Sequence, residues 1–363
     1  MSLRVGILTS GGDCQGLNPA MRAVGRTLLQ ADPETQIIGF LNGYAGLMRS
    51  DYRYLNDVDF SGILNLGGTI LGASRQPFKQ LLDPFDRTNP EKKDFTRLDA
   101  MLRTFQDLNL DALVVLGGNG SQKTANALFE AGVPTVSLPK TIDNDLAATE
   151  LSFGFHSAVE IATQVIDGVH STASSHGRVF IIQLMGHKTG WLTLYAGLSG
   201  GADVILIPEI PYNIKNILKV LAEREAKHRR FSIFAVAEGA VSQEEVEMSK
   251  EERLQHYSNT SPSVGYRLAQ ELEDLSEKEF RVVVPGHFQR GGAPCAFDRV
   301  LTTEMGYEAA QMILEKDFGK MVAVENGKIS RVKISKVAES LRTVPPDHYL
   351  VQAARAIGVS FGD

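Results

Sequence analysis

Cysteine is nearly missing from this chain: Cys14 and Cys295 are the only two in 363 residues. A pair so widely separated offers neither a disulfide framework nor a metal knuckle, and suits a reducing compartment. Long apolar runs are missing too. None approaches the roughly 18–20 residues that a membrane-spanning helix needs. The opening "MSLRVGILTSGG" runs straight into a strand-like segment and a glycine turn, unlike a cleavable leader. There is no basic excess, since 37 Lys and Arg against 43 Asp and Glu leave a formal charge of −6. That balance gives no electrostatic basis for binding nucleic acid or an anionic membrane. Internal repeats and low-complexity tracts are lacking as well. The expectation is a soluble, cytoplasmic protein with no nucleic-acid and no membrane partner.

What the chain has is a series of short apolar segments that end in glycine or proline. They include "RVGILTSGG", "QIIGFLNG", "DALVVLGGNG", "VPTVSLP", "RVFIIQLMG", "ADVILIPE", "FSIFAVAEG" and "FRVVVPGH". Near-continuous rather than alternating hydrophobicity is the mark of strands covered on both faces. Helical stripes lie between them. In "HSAVEIATQVIDGVH", Ala158, Ile161, Ala162, Val165, Ile166 and Val169 share one face, and "NIKNILKVLAEREAK" repeats the pattern with Ile214, Ile217, Leu218 and Leu221. Strand–helix alternation over this length predicts doubly wound, mostly parallel α/β architecture with room for two domains. The polar stretch 241–262 reads as an exposed connection or a solvated helix. In such sheets ligands bind at the carboxyl ends of the strands, and the chemistry-bearing motifs are read as sitting where apolar runs end.

"TSGGDCQGLNPAMR" follows the first run and opens a helix. Gly11 and Gly12 remove side chains, so backbone N–H groups can approach an oxyanion. "LGGNGSQKTA" repeats the device with Gly117, Gly118, Gly120 and Ser121, and matches neither the P-loop nor the dinucleotide fingerprint. Either loop alone could be a plain connection; two on one sheet point to a polyphosphate. "LPKTIDNDLAAT" then places Lys140, Thr141, Asp143 and Asp145 on one tight turn. A positioned carboxylate can take a hydroxyl proton, a second can hold substrate or metal, and a lysine can neutralise a transferring phosphoryl group. The bland alternative is a turn whose Asx side chains bond their own backbone, for which Asn144 is suited.

Cations follow beside glycines: Arg75 in "GGTILGASRQPF", Arg178 in "SSHGRVFII", and Arg281, His287 and Arg290 in "FRVVVPGHFQRGG". Guanidinium groups fork onto phosphate oxygens, although a single arginine is more often a solvated charge. Glu238 in "AVAEGA" ends an apolar run, where burial without a partner would be costly. It is suited to sugar hydroxyls or to an arginine. Together these residues describe phosphoryl transfer to a hydroxyl of a sugar phosphate.

In order and combination, "TSGGDCQGLNPAMR", "GGTILGASR", "TIDND", "AEGA" and "GHFQRGG" resemble the 6-phosphofructokinase family over nearly the whole chain. The resemblance implies two α/β domains with the chain crossing between them: residues 1–154 plus 289–339 for the phosphoryl donor, and 155–288 plus 340–363 for the sugar phosphate. It implies ATP and fructose 6-phosphate as ligands, with Mg2+ as cofactor. Asp143 would be the base acting on the 1-hydroxyl, flanked by Thr141, Ile142 and Asp145, with Lys140 nearby and Arg75 bridging donor and sugar. Gly11, Gly12, Gly118, Asn119, Gly120 and Ser121 would hold the donor, Asn119 also serving the metal. Met185, Gly186, His187 and Glu238 would contact the sugar, and His287 and Arg290 its 6-phosphate. Arg178 and Arg281 would complete the site of a neighbouring subunit, so a homo-oligomer (dimer or tetramer) is implied.

Four positions bear on the donor. Gly120 resembles ATP users, because an aspartate there would repel a nucleotide's α-phosphate. Lys140 resembles pyrophosphate users. Thr124 stands where nucleotide users often have glycine. Asn119 replaces the family's metal-associated aspartate. His187 also replaces the arginine of the "MGR" sugar-contact stretch. The reading favours ATP, with a pyrophosphate-dependent enzyme as the alternative and a catalytically weak sugar-phosphate sensor or regulatory subunit as a further one. Arg22, Arg26 and "KHRR" (227–230) are left between an effector site and ordinary solvated charges.

Overall fold

The computed structural model describes residues 2–76, 78–85 and 95–363. The strands are β1 (Arg4–Ser10), β2 (Gln36–Phe40), β3 (Tyr52–Leu55), β4 (Ala112–Gly117), β5 (Thr135–Pro139), β6 (Val179–Leu184), β7 (Val204–Leu206), β8 (Ser232–Ala237), β9 (Phe280–Val283), β10 (Lys320–Glu325) and β11 (Lys328–Lys333). By contacts the chain divides into Met1–Ser157 with Arg290–Arg342, and Ala158–Gln289 with Thr343–Asp363.

The first unit holds a seven-stranded sheet in the order β11-β10-β5-β4-β1-β2-β3. Its inner pairs are parallel, and only the two edge pairs, β2–β3 and β10–β11, are antiparallel. Every residue of β4 and β5 is buried, as the continuous apolar runs foretell. The chain leaves β1 toward β2 on one side, while β4 and β5 lie on the other. The gap between β1 and β4 is therefore the switch point where doubly wound sheets bind ligands. Register decides the geometry there: Ser10 pairs with Gly117, and Gly117 with Pro139. The three loops that follow leave the sheet at one level.

The second unit holds a four-stranded, wholly parallel sheet in the order β7-β8-β6-β9. The expected stripe on the helix Phe155–His176 has Ala158, Ala162 and Ile166 buried, with Glu160 and Asp167 exposed. The helix Ile214–Ala226 buries Ile217 and Leu221 and is capped by Asn213, which accepts from the Lys215 N–H. Of the two readings of the stretch 241–262, the solvated helix is the one found. It forms two short helices, Gln243–Glu247 and Lys250–Asn259, each opened by a capping box from Ser242 or Ser249. Glu245 there is buried and ion-paired to Arg267 at 3.2 Å.

Candidate active site

At the end of β1 the backbone turns through Gly11 with φ +87°, a left-handed conformation that glycine adopts without strain. A Cβ on Gly11 would lie 3.3 Å from Lys140 Nζ and 3.7 Å from Ser121 Oγ; one on Gly12 would lie 3.2 Å from the Arg290 guanidinium and 3.5 Å from that of Arg75. Lys140, Arg75 and Arg290 thus converge on the first glycine loop. Lys140 is 3% exposed and donates to the Gly12 carbonyl. Burial, aided by the nearby Arg290, holds its pKa below the ordinary lysine value. Arg290 also donates to the Asp13 carbonyl at 3.0 Å. Its guanidinium therefore lies against the first glycine loop.

The second glycine loop opens the helix Asn119–Glu130. Gly118 is its N-cap, without a side-chain cap or first-turn carboxylate, so its N-terminal N–H groups form an anion-attracting end. Gly120 has nothing within 4 Å of a Cβ position, which leaves the approach open. The Asn119 amide donates to the Ser340 carbonyl at 3.5 Å.

In the turn after β5, Asn144 adopts φ +50°. Its amide donates to the Glu150 carbonyl at 3.1 Å and accepts from the Ser152 N–H at 2.9 Å. Ser152 Oγ donates to the Thr141 carbonyl at 2.8 Å. Asn144 thus supplies Asx bracing of the kind such a turn can use. Asp143 is half-buried, its N–H donating to Thr141 Oγ1 at 3.1 Å, and Asp145 is buried. Thr141 and Ile142 are buried beside them.

In the second unit, Met185, Gly186 and His187 follow β6, Glu238 follows β8, and His287 lies on the short turn Gly286–Arg290 after β9. These are carboxyl ends of neighbouring strands. Glu238 is exposed, correcting the expectation of a burial penalty, and accepts from the His187 N–H at 2.8 Å. Arg178 and Arg281 depart from the expectation that the chemistry-bearing residues sit where apolar runs end. Arg178 precedes β6, and Arg281 pairs beside Phe180 at the start of β9, so both lie at amino ends. There they share Glu279, which Arg178 meets at 2.5 Å and Arg281 also contacts.

A model of the phosphofructokinase family matches residues 4–313. The chain belongs to that family. It is 50% identical to an ATP-dependent 6-phosphofructokinase of Spirochaeta thermophila over 99% of this chain and 97% of that protein. It is 41% identical to a pyrophosphate–fructose 6-phosphate 1-phosphotransferase of Amycolatopsis methanolica over 96% of this chain and 98% of that one. The crystal structure of Pichia pastoris phosphofructokinase in the T-state superposes with a TM-score of 0.77 at 29% identity, covering 93% of this chain and 35% of that longer one.

Sequence reading missed the polar side chains that support this phosphofructokinase fold's loops. Gln122, wholly buried, donates to the Gly117 and Leu138 carbonyls at 2.9 and 3.1 Å, tying the ends of β4 and β5 together. Asn18, equally buried, donates to the Leu66 and Gly67 carbonyls and accepts from the Ile70 N–H, fixing the loop that leads to Arg75. Gln15 donates to the Gly291 carbonyl at 2.6 Å, next to Arg290. Their only signal was position, directly after a glycine loop.

Among the described residues no cluster of three His, Cys, Asp or Glu side chains could cage a metal. The side-chain amide of Asn119, in the first turn of the helix after the second glycine loop, is the group the sequence reading offered to Mg2+, an ion that takes oxygen ligands and needs few from the protein. Cys14 adjoins the site but is inert. Burial pushes its thiol up to about 12, so almost no thiolate exists at neutral pH. Brief alkylation of the native protein followed by peptide mass spectrometry should label the half-buried Cys295 well before Cys14. Prior labelling of Cys14 would contradict its sequestration.

Proposed function

We propose that this chain is an ATP-dependent 6-phosphofructokinase, transferring the terminal phosphoryl group of ATP to the 1-hydroxyl of fructose 6-phosphate. The observation that carries the reading is the common level of the loops after β1, β4 and β5. That alignment brings Lys140 and an uncapped helix end to the first glycine loop, which Arg75 and Arg290 also approach, with Asp143 on the adjoining turn. The backbone N–H groups with Lys140 and Arg75 bind and orient the donor phosphates. Asp143 accepts the proton of the 1-hydroxyl, and Thr141, Asp145 and the buried Ile142 flank it. Met185, Gly186, His187 and Glu238 engage the sugar, and His287 with Arg290 its 6-phosphate. Asn119 is the protein group offered to Mg2+, which when bound offsets phosphate charge. The enzyme is read as cytoplasmic. Arg178 and Arg281, carried at amino strand ends, are assigned to the site of a neighbouring copy in a homo-oligomer.

One observation favours pyrophosphate as the donor instead. Thr124 is 3% exposed and, with Tyr44, Met48 and Met101, lines a cavity of only about 10 Å3, close to the size of one water. Parallel assays with the two donors and fructose 6-phosphate decide the matter, and a faster rate with ATP is expected. Thr124→Gly should lower the KM for ATP roughly tenfold and leave the pyrophosphate response unchanged. A faster rate with pyrophosphate in the unsubstituted enzyme would reverse the donor assignment. Binding of fructose 6-phosphate without turnover on either donor would instead favour a sensor or regulatory subunit, the role suggested by Asn119 and His187.

A further inference from the structure

Gln289 is wholly buried although its neighbour Phe288 is 71% exposed. Its amide group donates to the Gly286 carbonyl at 2.9 Å, closing the turn that presents His287. Its amide oxygen accepts from the Met185 N–H at 3.3 Å, reaching from the end of β9 to the end of β6. Met185 opens the segment in which His187 sits at φ +54° and donates its N–H to Glu238. That segment has no slack on its far side. A Cβ on Gly239 would lie 2.4 Å from the His187 carbonyl oxygen. Non-glycine residues hold left-handed backbone only where their surroundings over-determine it. Here Glu238, Gly239, Gln289 and Thr189, whose N–H donates to the Gly186 carbonyl at 3.0 Å, supply that constraint.

We propose that Gln289 is a positioning residue for the sugar-phosphate subsite, coupling the His287 turn to the Met185–His187 turn so that both are set together. It acts through those turns and is not itself a substrate ligand. The proposal rests on the sugar-phosphate reading above and adds a residue to it. A neutral amide suits the task because one buried group must donate at one end and accept at the other. Leucine can do neither. A glutamic acid can do both while protonated, which burial favours, and loses the donor when ionised.

The test uses the full-length enzyme and its Gln289→Leu and Gln289→Glu variants. Gln289→Leu should raise the KM for fructose 6-phosphate about tenfold and leave the KM for ATP within about twofold. For Gln289→Glu, the ratio of its sugar KM to that of the unsubstituted enzyme should fall toward unity as pH drops from about 8 to about 6, while the leucine ratio stays flat. Amide exchange at Met185 and His187 should quicken in Gln289→Leu, with the loops at Gly11–Gly12 and Gly118–Ser121 unchanged. An unaltered sugar KM, or an equal rise in both KM values, overturns the coupling while leaving the proposed activity in place. An unsubstituted enzyme that turns over no sugar phosphate overturns the activity instead, and exchange at Met185 still decides whether Gln289 couples the turns. Should Gln289→Leu fail to fold, the pH response of Gln289→Glu carries the same decision.

Discussion

Asp143→Asn is expected to lower kcat by about 10²–10⁴-fold, the range that a positioned general base contributes, with fructose 6-phosphate binding changed only a few-fold. The exchange keeps the side chain's shape and removes its capacity to take a hydroxyl proton. The turn should survive, because its bracing runs through Asn144 and Ser152 and through the Asp145 carbonyl, which accepts from the Arg342 N–H at 2.8 Å. Turnover, calorimetric binding of the sugar phosphate and the thermal midpoint together make the reading unambiguous. Retained turnover removes Asp143 as the base. Joint loss of turnover and binding, with an unchanged midpoint, would make it a substrate-holding group. Lys140 sharpens the argument. On the proposed reading, a buried Lys140 at the same turn would favour negative charge on the transferring group, and one short segment would serve both acceptor deprotonation and charge neutralisation.

The parallel core was legible because strands covered on both faces must be apolar throughout, and each glycine or proline marked a carboxyl end. The edge strands were not. β3 and β11 are only partly buried, so their hydrophobicity is diluted. β11 did carry one signal, the Asn326–Gly327 pair, whose positive φ values of 51° and 70° make the hairpin turn from β10. The glycine loops could be read singly, but their common level comes from strand register, which composition does not encode. Buried glutamines such as Gln15, Gln122 and Gln289 escape any periodicity argument, since glutamine is ordinarily a surface residue. Arg178 and Arg281 were listed with the cations at run ends because glycine lies near them. Each stands at the start of its apolar run, and that order, read as strand direction, already placed it at the other end of the sheet.

That placement leads to the second large effect. The Arg178→Ala, Arg281→Ala double variant should lose roughly 10²-fold or more in kcat/KM for fructose 6-phosphate, since charge-assisted bonds to phosphate are the strong ones. The loss should be reparable in trans. β6 spans six residues, so at about 3.3 Å per residue its two ends lie roughly 20 Å apart. No arginine side chain at its start reaches the Met185–His187 turn at its end. If these arginines grip the sugar's phosphate, they do so in another copy. Mixing the double variant with Asp143→Asn under conditions that exchange subunits should then restore about a quarter of the sites, because each mixed two-fold pair contains one intact site. Glu279, which holds both arginines here, must yield them to the incoming phosphate. Glu279→Gln should therefore tighten fructose 6-phosphate binding in the otherwise unaltered enzyme. Mixed oligomers that stay inactive, with subunit exchange verified by mass, would confine both arginines to a structural ion-pair cluster.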